Sequence, residues 1–374
     1  MKVGPFELER FYVEYEFDVG TNISASCGTE TTTEDILKLS GEEAKEQYLK
    51  LGLDYRENKG DVELREEVAG EYEKLGADDV QITTGGSEAI YLLMRTYLEP
   101  GDRIVTERPI YQSLYQLAVD MGVEVLTLPL DAEGGYVPDP EMLKKILVKS
   151  KVKMVVVNHP HSPTGSVITA DLQREIVELA ERHGALLLSD EVYWGVFYDE
   201  ADKIPHAADL SENVVTIGDM TKPYGLGGLR VGWLASRRRD ILGSASTLKD
   251  YTTMCAAAPS EFLATQVLRH KAPILERNID IARGNIETFE RAVEGSGGRL
   301  SWIRPRGGYT GFVRLNVDGL TADDFCQRLI REKDVLILPG RVFGDPASFR
   351  IGVGTKTEQF ERGVSALSKF LADI

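Results

Sequence analysis

The chain has 374 residues, 42 % of them apolar and 28 % charged, with a formal net charge of −17. That length exceeds one small core and predicts two domains, or one large domain with a satellite. The charge argues against a general binder of phosphate backbones, and no apolar run reaches the roughly 18 residues that span a membrane. Met1 to Arg10 lacks the apolar core of a signal peptide. Cys27, Cys255 and Cys326 are too few and too scattered for a disulfide framework or a zinc site. The five histidines show no metal-ligand spacing. A cytoplasmic protein without a metal, nucleic-acid or membrane partner is the expectation.

Between residues 1 and 30, Phe11, Tyr12, Tyr15 and Phe17 follow no clear period, and Asn22 to Gly28 is a run of mostly small residues. Ser40-Gly41-Glu42-Glu43 has capping-box spacing and predicts a short helix. Asp61 is a candidate N-cap and Gly76 a candidate helix stop. From Val80 to Trp233 short apolar strands alternate with helical stretches. Strands are expected at 80–84, 103–106, 123–128, 152–157, 185–189, 214–218 and 231–235, and helices at 87–98, 111–121, 139–148 and 170–183. This α/β alternation predicts a mostly parallel sheet with helices on both faces.

Residues 240–295 read as helices with a break at Pro259. An α+β region follows, with strands near 310–315, 335–338 and 348–353. Helices are expected near 321–332, opened by the capping-box spacing Thr321 to Asp324, and near 357–371. The expected organisation is an arm (1–40) that contributes to a small domain, a large domain (41–265) and the rest of the small domain (266–374).

Lys222 lies just past the buried strand Val214 to Gly218, at a strand end, where open α/β sheets place their ligands. Such a lysine can form a Schiff base with a carbonyl compound. Arg230, eight positions on, offers a planar fork for a phosphate or carboxylate. A cofactor with both an aldehyde and a phosphate is pyridoxal 5′-phosphate (PLP). Thr83 to Ile90 joins a strand to a helix whose N-terminus offers free N–H groups to an anion. Gly86, Ser87 and Glu88 are therefore candidates for a phosphate cup, through their backbone N–H groups and the Ser87 hydroxyl. Asp190 ends a buried strand, where a carboxylate is costly unless paired. A protonated pyridine nitrogen would pair it and make the ring an electron sink.

These stretches resemble the class I and II aminotransferases, the fold-type I PLP enzymes, along nearly the whole chain. The family's lysine motif S-x-S-K-x-x-G-L-x-G-L-R-x-G is matched at Lys222, Gly225, Leu226, Gly228, Leu229, Arg230 and Gly232. Tyr55 to Arg65 is similar to Y-x-x-x-x-G-x-x-x-L-R. That likeness implies that Tyr55 reaches the phosphate in the neighbouring subunit of a homodimer with shared sites. The resemblance further implies that Tyr111 stacks on the ring, that Asp190 and Tyr193 of a D-E-x-Y segment hold its nitrogen and oxygen, and that Arg350 clamps the substrate α-carboxylate. The small-residue run, Ser26 included, corresponds to an arm over the active site that contacts substrate.

Two positions depart from the pattern. Asn158 to Gly165 resembles N-P-x-N-P-T-G, but Ser162 replaces the asparagine that bonds the ring oxygen and the substrate carboxylate. Asn158, His159 or His161 could compensate, and Asn158 and His161 are candidate substrate contacts. Asp219 replaces a phosphate-binding serine. A carboxylate beside a phosphate is repelled, so Asp219 is expected to point away, be protonated, or pair with a base such as Arg230. Thr221 is the candidate for the missing hydroxyl.

The resemblance implies an aminotransferase that passes an amino group from an amino acid to a keto acid, with Lys222, Asp190 and Tyr193 as its catalytic residues. The two departures leave elimination, replacement or cyclisation open. So does a looser likeness of Lys249 to Cys255, Ala258 to Glu261, the Asn158–Gly165 loop and the small-residue run to the capreomycidine synthase branch, which cyclises a hydroxylated arginine. A non-catalytic binding module on the same fold is the third possibility.

Overall fold

The computed structural model describes residues 3–374. Its centre is a seven-stranded sheet built from the seven expected apolar stretches. In order across the sheet these are Val80–Thr83, Gly232–Ala235, Val214–Asp219, Leu186–Asp190, Met154–Asn158, Arg103–Arg108 and Glu124–Pro129. Gly232–Ala235 runs antiparallel to both neighbours, so the other six strands share one direction.

The three central parallel strands are buried at every position because helices cover both faces. Side chains alternate between two apolar clusters. Met154, Val156, Leu186 and Leu188 pack with helices Gly85–Tyr97, Ser113–Asp120 and Arg239–Lys249. Val155, Val157 and Leu187 pack with helices Val62–Ala69, Pro140–Lys149, Ala170–Arg182 and Ala258–Arg269. Each fully buried Val, Leu or Ile contributes about 1.5–3 kcal/mol.

The second unit holds a four-stranded antiparallel sheet in the order Leu338–Pro339, Ser348–Gly352, Thr310–Leu315 and Leu300–Trp302. Helices Lys271–Gly295, Ala322–Lys333 and Thr357–Asp373 pack with it around Phe289, Phe325, Phe349, Phe360 and Phe370. Thr321 caps its helix by accepting the Asp324 N–H at 3.1 Å. The N-terminal segment joins this unit: Thr21–Asn22 pairs in parallel with Val335–Leu336, and the Gly352 N–H donates to the Ile23 carbonyl at 2.8 Å.

The structure corrects several local expectations. Residues 7–15 form a helix, since Leu8, Phe11, Tyr12 and Tyr15 fall at i, i+3, i+4 and i+7; the stripe is visible only when Leu8 is counted. Ser40 caps nothing. It ends the helix Thr33–Ser40 and donates its hydroxyl to the Ile36 carbonyl at 2.7 Å. The capping box is Thr32 with Asp35, and Gly41, at φ +89°, turns the chain into the next helix. Gly76 stops no helix either. Val62–Ala69 ends at Gly70, and the Gly76 N–H instead donates to Asp79 Oδ2 at 3.0 Å. Pro259 lies in the first turn of Ala258–Arg269, where its missing N–H is harmless. The strand Leu300–Trp302 has no counterpart among the expected elements. Among the described residues no helix is long and apolar enough to cross a membrane.

Gly352 marks the closest approach of the N-terminal segment to the strand carrying Arg350: a Cβ there would lie 1.7 Å from the Ala25 carbonyl oxygen. Gly352→Ala is expected to lower unfolding stability by about 1–3 kcal/mol, the cost of overpacking. Urea denaturation measures it. A stability equal to wild type would show that the segment yields freely.

Candidate active site

The carboxyl ends of the parallel strands open into a cavity of about 910 Å³. Five of them supply it: Gly86 and Ser87 follow the first, Tyr111 follows Arg103–Arg108, and Asn158, Asp190 and Asp219 end their own strands. The N-terminal segment and Arg350 close the opposite side.

Lys222 lies in the single turn Thr221–Tyr224, and its Nζ donates to the Ser26 hydroxyl at 2.9 Å. The turn is fixed against the arm. The Gly28 N–H donates to the Lys222 carbonyl at 3.0 Å, and Gly225, at φ +67°, has room only for hydrogen, because a Cβ would meet the Thr29 carbonyl at 2.3 Å.

Asp190 is 4 % exposed and accepts the Val192 N–H at 3.1 Å. Among the described residues no ion pair neutralises it. Burial, opposed only in part by the Val192 N–H and aided by the Asp219 charge, pushes its carboxyl up to about 7. Behind it, Asn158 donates from Nδ2 to the Asp190 carbonyl at 3.0 Å and accepts the Ser162 N–H at Oδ1 at 2.7 Å. Glu107 then accepts the Asn158 N–H at 2.9 Å and sits 2.8 Å from His159 Nε2. Burial pushes the Glu107 carboxyl up, but the facing His159 and the Asn158 N–H outweigh it and hold the group below the usual range.

Tyr193 donates to the Ser26 carbonyl at 2.5 Å, so its one proton is engaged there, and burial raises its phenol above the ordinary value. Tyr111 lines the cavity with its ring 5.3 Å from that of Phe6. Arg350 is 2 % exposed. It donates from Nη2 to the Tyr12 hydroxyl and the Ser24 carbonyl, both at 2.9 Å, while Nε is buried without a protein partner. A guanidinium held on one side and unsatisfied on another suits an incoming carboxylate.

Asp219 neither points away from the cup nor pairs with Arg230. It points into the cup and accepts the Gly86 N–H at 2.6 Å and the Thr221 N–H. Arg230 donates to the Gly227 carbonyl at 3.1 Å and, among the described residues, makes no ion pair. Thr221 lines the cavity, as do Ser26, Ser87 and Ser162. Glu88 turns its side chain away: one oxygen accepts the Thr84 N–H at 2.6 Å, and the other the Thr252 and Thr253 hydroxyls.

His161 does not line the cavity. It is fully buried against the Thr164 hydroxyl, 2.7 Å from Nδ1, and burial pulls it down to about 4, so it is a neutral core group and no substrate contact in this arrangement. Tyr55 is 84 % exposed and outside this chain's cavity. The Lys249–Cys255 stretch also stays outside. It braces the Tyr55 loop and Glu88 through Lys249 to the Asn58 carbonyl and through its threonines.

Sequence reasoning missed Tyr12, Glu9 and Glu16, which reach the cavity from the N-terminal helix and the turn after it. Burial and the neighbouring Glu9 hold Glu16 above the usual carboxylate range. The helical stripe Leu8–Tyr15 was the available signal. Glu107 left none, because only the fold brings it behind Asn158.

PLP fits most of these groups. The buried, unpaired Asp190 calls for a cation such as a protonated ring nitrogen, and Lys222 and Arg350 share the cavity with it. The phosphate cup fits less simply, because Asp219 already engages Gly86.

The family described as aminotransferase class I and II matches residues 22–367. Capreomycidine synthase of Streptomyces vinaceus is 33 % identical over 312 residues, 83 % of this chain and 79 % of that protein. A PLP-dependent aminotransferase from Streptococcus suis 89-1591 superposes with a TM-score of 0.93 at 29 % identity, covering 100 % of this chain and 99 % of that one. The PLP-dependent cyclase OrfR superposes with a TM-score of 0.89 at 27 % identity, covering 100 % and 98 %.

The Asp190 environment makes a signed prediction for protein freed of cofactor. A carboxyl raised to about 7 when folded binds a proton that the unfolded chain has released above about 4. Its contribution to stability is therefore full below about pH 4 and is lost as pH rises through about 7. Asp190→Asn should remove this slope, whose ceiling is about 4 kcal/mol. Urea midpoints measured between pH 4 and 8 test it; parallel curves for the two proteins would refute it.

Proposed function

The chain belongs to the class I and II aminotransferases, and on that premise we propose that it transfers the amino group of an amino acid to a keto acid. PLP is the cofactor. Lys222 would hold its aldehyde carbon, Asp190 its ring nitrogen, Tyr111 its ring face, Ser162 and Tyr193 (once its proton turns from the Ser26 carbonyl) its ring oxygen, and Arg230, Ser87 and Thr221 its phosphate. Bound there, the cofactor supplies an electron sink for the substrate's Cα.

The chain's own groups do the rest. Arg350 holds the α-carboxylate with the donors that Tyr12 and Ser24 leave free. That clamp fixes which substrate bond faces Lys222. Asp190, ionised against a cationic ring nitrogen, keeps the sink effective. The Nζ of Lys222 would take the Cα proton and deliver it to the carbon on the far side of the amino nitrogen. The N-terminal helix limits water over the site. The observation that carries this reading is that, among the described residues, Lys222 is the only amine lining the cavity: moving one proton between the two carbons that flank the amino nitrogen needs one base that reaches both.

A second reading is elimination, replacement or cyclisation on an amino acid with a cationic side chain. Glu9 and Glu16 favour it, because both line the mouth and neither makes an ion pair among the described residues. The likeness to capreomycidine synthase and to the cyclase OrfR supports it too. We further propose a cytosolic homodimer with shared sites. The exposed Tyr55, near the similarly exposed Leu53, is available to cross to a second copy, as the family resemblance implies.

Purified holoenzyme mixed with single amino acids, arginine and hydroxyarginines included, and no keto acid decides between the readings. Transamination yields pyridoxamine phosphate and the matching keto acid by mass spectrometry. A cofactor that stays an aldehyde while the substrate loses water or ammonia, or closes a ring, gives the site to the second reading. Lys222→Ala is expected to slow turnover by about 10²–10⁴-fold, the usual value of a positioned base. Arg350→Gln is expected to raise KM for the amino acid about 10- to 100-fold, as loss of a charge-assisted pair should. An unchanged KM would remove Arg350 from the carboxylate clamp.

A further inference from the structure

Asp219 stands inside the cup where a phosphate is expected, and its contacts are specific. Oδ2 accepts the Gly86 N–H at 2.6 Å and Oδ1 accepts the Thr221 N–H. Gly86 lies in the first turn of the 13-residue helix Gly85–Tyr97, so this N–H is one of the donors that the helix leaves unpaired, at the positive end of its dipole. The carboxylate acts as a capping anion for that helix. Space holds it there. A Cβ on Gly86 would lie 3.2 Å from Asp219 Oδ2, and a Cβ on Gly232 would lie 2.7 Å from the Gly86 nitrogen, so the turn is pressed against the neighbouring strand. Arg230 does not neutralise Asp219. Its guanidinium lies over Gly85, whose Cβ would sit 2.4 Å from Nη2, and its hydrogen bond goes to the Gly227 carbonyl.

We propose that Asp219 is an internal competitor for the cofactor phosphate: it holds the Gly86 N–H that a phosphate oxygen would take, and so sets how tightly and how long PLP is held. The inference rests on the reading of Gly86 to Glu88 as the phosphate cup. A phosphate seated on the remaining donors and Arg230 has a carboxylate beside it; one that takes Gly86 must displace that carboxylate and undo the helix cap. Both routes weaken binding, and both are eased when residue 219 is neutral: no charge then faces the phosphate, and a neutral cap is displaced more readily than a carboxylate. Pyridoxal, which lacks the phosphate, does not need the Gly86 N–H, so residue 219 reaches it only weakly, through the charge it adds near Asp190. Asp219 thus acts through the cup as a positioning residue, and its effect falls on cofactor exchange.

The test compares holoenzyme with Asp219→Ser and Asp219→Asn. Serine removes the charge and leaves a hydroxyl; asparagine keeps an acceptor for the cap without the charge. PLP release is followed with a phosphatase that consumes free cofactor, and re-binding by absorbance titration, with pyridoxal as control. Thermal melting checks that each variant is folded. Both variants should bind PLP roughly tenfold tighter and release it roughly tenfold more slowly, with pyridoxal affinity within about twofold of wild type. Melting of cofactor-free protein should also rise more with added inorganic phosphate in the variants than in wild type. PLP affinity that is unchanged or weaker in both variants overturns the proposal. So does an equal gain for pyridoxal. A gain in the serine variant alone would assign the effect to the hydroxyl and overturn it as well. Failure of every protein to bind PLP while pyridoxal still binds would instead sink the cup assignment itself.

Discussion

Because six strands of the large sheet share a direction, their carboxyl ends and the turns that follow them meet along one edge. Each turn exposes backbone donors or carries a polar side chain that the sheet interior could not hold. Gly86, Tyr111, Asn158, Asp190 and Lys222 come from five separate stretches of sequence and reach one cavity for this reason alone. The antiparallel strand Gly232–Ala235 contributes differently. It presses on the glycine turn at residues 85–86, so that Gly232 itself has room for hydrogen only: a Cβ there would lie 2.7 Å from the Gly86 nitrogen. The small unit adds Arg350 and, through Ile23 and Gly352, anchors the arm that crosses the cavity.

The charges in this cavity are arranged for a ligand that carries charges of its own. Asp190 is buried without a cation, Arg350 has a buried nitrogen without an acceptor, and Arg230 has no carboxylate partner among the described residues. The first two are costly in isolation because they are buried; Arg230 is exposed and can keep its hydration. A bound molecule with a cationic ring nitrogen, a phosphate and a carboxylate would satisfy all three. Glu107 and His159 form the contrasting case, a buried carboxylate that finds its partner within the protein and holds Asn158, and through it the Asp190 backbone, in place.

Asp219 and Ser162 mark where this chain leaves the pattern of its relatives, and the two changes differ in kind. Ser162 shortens a polar side chain, and its backbone is still tied to Asn158. Asp219 adds a charge, and the fold places that charge on the dipole of a helix N-terminus. Glu9 and Glu16 add further carboxylates to the cavity, from the segment that also touches Arg350.

All seven strands of the large sheet were legible in the sequence because fully buried parallel strands are short, apolar and bounded by turn residues. Lys222, Asp190 and Arg230 stood out in the sequence at strand ends and in a glycine turn, Tyr193 and Arg350 by their likeness to family segments, and the fold brings all five to one cavity. The N-terminal helix escaped notice because its stripe begins at Leu8, one turn before the aromatic residues that drew attention. The cap at Thr32 escaped because Ser40 offers the same local spacing, and only tertiary packing selects between them. His161 looked like a substrate contact by its place in a loop, yet packing buries it against Thr164. The direction of Asp219 could not be read from sequence at all. A carboxylate's partner depends on which backbone donors the fold leaves open within reach, and here the donor lies 133 residues away, at Gly86.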